Sequence, residues 1–262
     1  LRDCRLHLGD KHVRAEESTL FIVEGDSAAG SLTATRDVQT QAVFALKGKP
    51  LNVRNLNSAA ISKNKEVMTL LNIIGLTYGQ TYTSLAGLNY KKLVIFSDQD
   101  PDGAHIGGLI INVIHALFPS VLKVDPAFVQ RFATPLVRVT EKGKSRGDVR
   151  CFYARPHFEE WWEHEVAAAT GPGATASATA SATASATASA AARMSVKYDI
   201  KYYKGLGTST SALAREYFSS YRDQLVDIVW TAASDELMVQ MFQSDNASSR
   251  RDLLTQSYDP AA

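Results

Sequence analysis

The sequence is poor in the features that mark several common classes of protein. Cys4 and Cys151 are the only cysteines among 262 residues. They lack metal-ligand spacing, and we interpret both as reduced thiols of an intracellular protein. No run of about 18 apolar residues occurs, so we predict no transmembrane span. The opening residues LRDCRLHLGDKHVR are too polar for a signal peptide, and the missing initiator Met suggests a fragment or a processed chain.

Strong net charge and the common nucleotide-binding motifs are also missing. A net charge of +1 does not by itself indicate a nucleic-acid partner. Neither GxxxxGK[ST] nor GxGxxG occurs, and the six histidines do not pair at metal-ligand spacing. The remaining composition, 45% hydrophobic and 21% charged, is typical of a soluble globular protein with one or two domains.

Short apolar runs alternate with segments of helical periodicity. The predicted strands are Thr19–Val23, Leu93–Phe96, Phe132–Thr140 with an interruption at Pro135, and Cys151–Ala154. The predicted helices are one that follows the first strand, Lys65–Ile74, Ile106–Leu122 and most of the sequence from Asp223 onward. Strands that alternate with helices predict an α/β unit with a parallel sheet.

One segment has a different composition. Four copies of ATAS follow Gly-Pro-Gly, without charge or large apolar side chains. Such a segment cannot bury enough surface to offset the entropy lost on ordering. We therefore predict that residues 171–192 are a disordered insertion.

The most informative stretch is LVIFSDQDPDG, where a buried strand runs into three aspartates. If the chain stays extended, Asp98, Asp100 and Asp102 share one face before Pro101 and Gly103 turn it. Their mutual repulsion would be offset by a divalent cation, and oxygen-only ligands suit Mg²⁺. A plain polar turn is the alternative. An EF-hand would need Glu at the twelfth position, where Leu109 stands.

A second acidic residue, Glu24, also follows directly on an apolar strand. The carboxyl ends of parallel strands meet at one edge of a sheet, so Glu24 and the aspartates are expected to converge there. The alternative for Glu24 is an acid that favours a helix N-terminus. Four such carboxylates suit metal-assisted phosphoryl transfer. His105 lies beside them, although a structural histidine is its commoner interpretation.

Two loops combine glycine with basic residues. In KYYKGLGTSTS, Lys204 precedes Gly205 and Gly207, and the following Ser/Thr run is suited to cap a helix, whose N-terminus would bind phosphate. In ALKGKPLNV, Lys47 and Lys49 flank a glycine. The alternative for the first loop is a helix-capping turn. The alternative for the second loop is a solvated turn.

These motifs together resemble a known family. EGDSA and DQDPDG are similar to the two acidic motifs of TOPRIM domains, found in topoisomerases, primases and nucleases. RDVQTQAVFALKGKPLNV, FATPLVRVT, FEEWW and YYKGLGTSTSALAREYF resemble type IIA DNA topoisomerases, with gyrase B-like and eukaryotic topoisomerase II-like features. The resemblance covers Glu17–Phe158 and Val196–Tyr221. It implies a Rossmann-like parallel sheet flanked by helices, with a helical C-terminal extension.

The resemblance also implies a mechanism and a domain plan. Glu24, Asp98 and Asp100 would be catalytic and bind Mg²⁺ or Mn²⁺, with Asp102 as a further metal ligand and His105 as support. Contacts to double-stranded DNA would come from Lys47, Lys49, Lys204, Gly205 and Gly207. The implied segments are a lead-in at 1–17, TOPRIM at 18–170, the insertion at 171–192, the TOPRIM C-terminal part at 193–222 and a helical extension at 223–262.

Other parts of the mechanism would have to come from other domains. A 5′-phosphotyrosine would form on a winged-helix domain, and ATP would be hydrolysed by a separate domain; we expect neither within this chain. The full-length enzyme would be a homodimer or heterotetramer without a membrane association. Nuclear, organellar and viral locations stay open. A TOPRIM nuclease or primase, or a non-catalytic DNA-binding module, is the alternative function.

Overall fold

The computed structural model describes residues 1–143, 149–170, 197–203 and 221–256. The predicted insertion at 171–192 and the loop residues Lys204, Gly205 and Gly207 lie outside this described part. The chain forms two compact units, Leu1–Thr134 with Gly205–Ser257, and Pro135–Lys204 with Tyr258–Ala262. The domain boundaries given above stay predictions.

The strands in chain order are β1 (Thr19–Glu24), β2 (Gln41–Leu46), β3 (Lys92–Phe96), β4 (Val129–Phe132), β5 (Val137–Glu141), β6 (Val149–Phe152), β7 (Tyr198–Tyr202) and β8 (Leu225–Asp227). The helices are α1 (Gly25–Thr33), α2 (Ser58–Lys63), α3 (Lys65–Ile74), α4 (Pro101–Leu117), α5 (Pro119–Val124), α6 (Arg155–Thr170), α7 (Ala232–Phe242) and α8 (Ala247–Gln256). None of the described helices is long and apolar enough to cross a membrane.

The first unit contains a five-stranded sheet in the order β2-β1-β3-β4-β8. The first four strands are parallel, and β8 is antiparallel at the edge. Leu20 and Ile22 of β1 pack into one hydrophobic cluster, whereas Phe21 and Val23 pack into another. Because both faces of the sheet are covered, this strand is apolar from Leu20 to Val23 rather than alternating.

The second unit pairs β6-β5-β7 as an antiparallel sheet. Its described core consists of Val137, Val139 and Phe158, the last contributed by α6. Trp161 of α6 makes a tilted ring contact with Phe152 and an edge-to-face contact with Tyr198. This unit carries none of the predicted acidic site residues.

The α/β fold class is confirmed, but several elements differ from prediction. The strand predicted at Cys151–Ala154 is β6 (Val149–Phe152), and β8 lies within the segment predicted to be mainly helical from Asp223 onward. Phe132–Thr140 is not one strand, because β4 and β5 belong to different sheets and the chain crosses between units at Pro135. The helix predicted at Ile106–Leu122 begins at Pro101 and is interrupted at Phe118, before Pro119 starts α5. β2 was not predicted at all, although QAVFAL is an apolar run. Helix α3 matches its prediction.

Candidate metal centre

Glu24 sits where a strand turns directly into a helix. It is the last residue of β1 and the N-cap position of α1. Gly25 follows with a φ of 79°, a left-handed conformation that favours glycine. Glu24 Oε2 is buried and has no hydrogen-bond partner among the described residues. A buried polar atom of this kind is uncommon, and a bound water or ion would account for it.

The three aspartates follow the neighbouring strand β3. Val23 of β1 is paired with Phe96 of β3, so Glu24 and Asp98 stand at adjacent strand ends. Asp100 is the N-cap of α4, and its Oδ1 accepts a hydrogen bond of 2.7 Å from the Gly103 amide. Asp102 lies in the first turn of the helix.

The predicted extended path from Asp98 to Asp102 is therefore wrong. Pro101 begins α4, a position that proline tolerates because its missing N–H would be unpaired there anyway. Gly103 lies within the helix and does not turn the chain. A Cβ at this position would come within 2.2 Å of the Asp98 carbonyl oxygen. Glycine is needed because the helix start lies directly against the acidic loop.

The carboxylates influence one another. Burial raises the pKa of Glu24, and the negative charges of Asp98, Asp100 and Asp102 raise it further. A hydrogen bond from the Asp98 backbone amide opposes this shift in pKa. The ionised form of Glu24 is thus disfavoured by its surroundings, and a nearby cation would favour it.

Two basic side chains, Lys49 and His105, lie beside the acidic group. Lys49 Nζ lies 2.7 Å from Asp102 Oδ1, and this hydrogen bond and charge lower the pKa of Asp102. Exposed His105 adds a smaller electrostatic contribution in the same direction. A cleft of about 530 Å³ opens here, lined by Glu24, Gly25, Asp26, Leu46, Lys47, Gly48, Lys49, Asp102 and Ile106.

Two residues at this site were missed by sequence reasoning. Asp26 lines the cleft from the first turn of α1 and stands within the EGDSA motif itself, which was the available signal. Glu66 accepts a hydrogen bond of 2.8 Å from the Lys47 amide. It comes from α3, and no pattern in the sequence connects it to the basic loop.

The described residues contain one tighter group of metal-ligand types elsewhere. Ligand atoms of Asp3, Cys4 and His7 all lie within 4.8 Å of one another, whereas no three of the four acidic site residues meet that limit. Asp3 Oδ1 already accepts from the Tyr90 hydroxyl at 2.7 Å and from the Cys4 amide at 2.8 Å. Burial raises the pKa of Cys4 to about 11, so its thiol stays protonated. This group anchors the first residues to Tyr90.

Comparisons with known proteins agree with this architecture. Residues 19–131 match the Toprim domain, and residues 182–261 match the C-terminal associated domain of TOPRIM. DNA topoisomerase 2 of Arabidopsis thaliana is 38% identical over 246 residues, which is 92% of this chain and 15% of that protein. Putative DNA topoisomerase 2, mitochondrial, of Caenorhabditis elegans is 38% identical over 93% of this chain and 18% of that protein.

A solved structure is similar over the whole chain. The DNA-binding, cleavage and re-ligation domain of Plasmodium falciparum topoisomerase II superposes with a TM-score of 0.76 and 30% identity, covering 100% of this chain and 32% of that one. The chain thus spans less than a fifth of the length of the two curated relatives above. The two domain matches, together with these relatives, identify the chain as a TOPRIM region of the type IIA DNA topoisomerase family.

Proposed function

We propose that this chain is the Mg²⁺-binding part of the DNA cleavage and religation machinery of an ATP-dependent type IIA topoisomerase. The observation that carries the proposal is the buried, unpartnered Oε2 of Glu24 beside three aspartates. An all-oxygen donor set of this charge fits Mg²⁺, and Mn²⁺ would serve as well. Glu24, Asp98 and Asp100 would hold the ion, with Asp102 in support.

Residues of this chain would also take part in proton transfer and in binding DNA phosphates. When bound, the ion would stabilise the attacking or leaving oxygen of the phosphodiester. Glu24 would also act as an acid or base toward the 3′ oxygen. Lys47, Lys49 and, outside the described residues, Lys204, Gly205 and Gly207 would contact DNA phosphates. His105 would support Asp102.

Other parts of the enzyme would complete the reaction. A tyrosine on another domain would form the 5′-phosphotyrosine link, and an ATPase domain would drive passage of a second duplex. Double-stranded DNA is the expected partner, and a homodimer or heterotetramer the expected assembly. Relatives that include a mitochondrial form leave nuclear, organellar and viral locations open.

Metal binding can be tested on the chain itself. Mn²⁺, followed by electron paramagnetic resonance, should bind the wild type, and Asp98→Asn or Asp100→Asn should weaken this binding at least about tenfold because each removes a charge. Asparagine at position 100 keeps an N-cap acceptor, so helix α4 should persist. Asp26→Asn, in the same cleft, is the matched control. Equal Mn²⁺ affinity in all four proteins would contradict the proposed site.

Cleavage distinguishes a topoisomerase from the alternatives. The isolated chain should bind duplex DNA in the ~10⁻⁴–10⁻⁶ M range of non-specific binding and should not cut it. The full-length enzyme should cleave DNA with Mg²⁺ and retain protein on the 5′ end, and Glu24→Ala should abolish this. Free DNA ends released by the chain alone would instead identify a hydrolytic nuclease.

A further inference from the structure

The basic loop between β2 and α2 runs alongside helix α4. Lys49 Nζ contacts Asp102 near the start of the helix at 2.7 Å. Asn52 Oδ1 accepts a hydrogen bond of 2.9 Å from Asn112 Nδ2 three turns later. Arg54 Nε donates to Asn112 Oδ1 at 3.1 Å. The loop is therefore held at both ends of the helix, and its basic end lies at the acidic site.

At the far end of α4, His115 bridges two charged side chains. Its Nδ1 lies 2.6 Å from Arg54 Nη2, and its Nε2 lies 2.6 Å from Asp235 Oδ1. Arginine can only donate, so Nδ1 must accept and carries no proton. The proton is on Nε2, which donates to the carboxylate. The geometry thus assigns one neutral tautomer to an imidazole that is only 6% exposed.

Helix α7, which carries Asp235, packs antiparallel to α4. Asp235 near its start meets His115, and Phe242 at its end meets Gly108, where a Cβ would lie 2.9 Å from the ring. The carbonyl of Phe242 accepts a hydrogen bond of 2.8 Å from Asn52 Nδ2. The residues after β8 therefore contact both the helix and the loop.

The polar groups at the centre of this contact are satisfied by one another. Asn112 is fully buried, with its oxygen bonded to Arg54 and its nitrogen to Asn52. Asp235 also accepts from the Trp230 ring nitrogen at 3.1 Å. Losing one member leaves buried donors or acceptors without partners, which costs more than the bond itself contributes.

We propose that Arg54, His115 and Asp235 form a positioning relay. Asp235 fixes the tautomer of His115, whose Nδ1 holds Arg54 and so keeps the basic loop against α4, with Lys47 and Lys49 at the acidic edge of the sheet. The relay acts through the lysines and does not touch the reacting atoms. Its functional consequence rests on the proposed function, because Lys47 and Lys49 matter only if they contact phosphate. Its structural consequence, an ordered loop, does not depend on DNA.

Two amide substitutions separate the halves of the bridge. His115→Asn places near Nδ1 an amide oxygen that accepts without a tautomer choice, so it can retain Arg54 although it loses Asp235. His115→Gln places a donor near Nε2, so it can retain Asp235 and lose Arg54. If the relay positions the loop, His115→Gln should speed amide hydrogen exchange in residues 47–57 about tenfold, and His115→Asn should stay within about twofold of the wild type.

Duplex binding gives the second measurement. With a fluorescent 20-base-pair DNA at low salt, His115→Gln should raise the Kd about threefold to tenfold, whereas His115→Asn should change it by less than about twofold. If position 115 served packing alone, both variants would be affected alike. Equal exchange rates and equal affinities in the two variants, or greater loop exchange in His115→Asn, would overturn the relay.

A double substitution of Lys47 and Lys49 by alanine separates this inference from the proposed function. If it leaves DNA affinity unchanged while His115→Gln alone loosens the loop, the relay stands and the proposed DNA contact is wrong. If it weakens DNA binding but the two His115 variants do not differ in loop exchange, the DNA contact stands and the relay is wrong.

Discussion

Charged side chains are incompletely paired at the start of helix α4 and fully paired toward its other end. At its start, three aspartates gather around a half-buried Glu24 whose Oε2 has no partner among the described residues, and the nearby cation Lys49 pairs with Asp102. Toward its other end, Arg54, His115 and Asp235 form a chain of hydrogen bonds in which each charge faces a partner. One helix thus joins an incomplete cluster to a complete one.

This difference separates a proposed binding site from a structural network. An incomplete cluster raises the free energy of the folded chain until a ligand compensates it, as the raised pKa of Glu24 indicates. A complete network stabilises one conformation, and removing any member is costly. Removing a carboxylate charge at the two ends, Glu24 at one and Asp235 at the other, should therefore change stability with opposite signs.

The largest effect is expected where the helix meets the acidic loop. Gly103→Ala would place a methyl group 2.2 Å from the Asp98 carbonyl oxygen, a backbone atom that cannot move aside cheaply. We expect the free energy of unfolding to fall by about 3 kcal/mol and Mn²⁺ binding to be lost. Urea unfolding followed by circular dichroism measures the first, and electron paramagnetic resonance measures the second.

Gly107→Ala, one turn along the same helix, is the control for this prediction. A Cβ there would meet the Ile95 side chain at an ordinary 3.6 Å. Because alanine is the better helix former, stability should stay level or rise by up to about 1 kcal/mol. Equal losses in both variants would mean that the contact at Asp98 has no special role.

The next largest effect on stability is expected near the C-terminal end of α4, where the hydrogen-bond network is complete. Asp235→Ala removes the acceptor for His115 Nε2 and for the Trp230 ring nitrogen. Loss of these bonds should lower the free energy of unfolding by about 1–2 kcal/mol. Glu236→Ala, an exposed neighbour on the same helix, should change it by less than about 0.5 kcal/mol. Equal free energies of unfolding in Asp235→Ala and Glu236→Ala would contradict a stabilising role for this network.

The sequence predicts the acidic group at the start of α4 but not the hydrogen-bonded network near its other end. The apolar runs before Glu24 and Asp98 predict buried parallel strands, and parallel strands bring their carboxyl ends together. Local chemistry therefore sufficed to place both motifs at one edge. The backbone route between Asp98 and Asp102 was wrong because Pro101 suits a helix start as well as a turn.

No pattern in the sequence predicts the contacts of the relay. Arg54, His115 and Asp235 are separated by 61 and 120 residues, and each alone is a common residue type in an unremarkable segment. Their contact depends on how α7 docks on α4, which is a property of tertiary packing. Gly108 contributes by allowing close approach of Phe242, yet a single glycine in a helix does not identify its neighbour.

A smaller effect of opposite sign is expected for Glu24→Gln. A carboxyl whose pKa is raised in the folded state contributes stability below its unfolded pKa, and this is lost as pH rises through the folded value. Glutamine stays neutral, so the variant should gain stability relative to the wild type between about pH 4 and pH 7.

Adding Mn²⁺ should reverse that order by stabilising only the wild type. Thermal unfolding across this pH range, with and without Mn²⁺, measures both effects, and Asp26→Asn serves as the control. A wild type that stays the more stable protein at pH 7 without metal would show that Glu24 is not under electrostatic strain.

The smallest effect on stability is expected for Lys49→Ala. Lys49 and Asp102 are 46% and 71% exposed, and ion pairs this open to solvent contribute little to folding. Thermal stability should match that of Lys63→Ala, an exposed lysine on α2 that serves as the control. Duplex DNA binding should separate the two variants, because Lys49→Ala should lower the slope of log affinity against log salt by about one unit and Lys63→Ala should not. The same slope in both variants would place Lys49 away from the DNA phosphates, and its role would then be limited to pairing with Asp102.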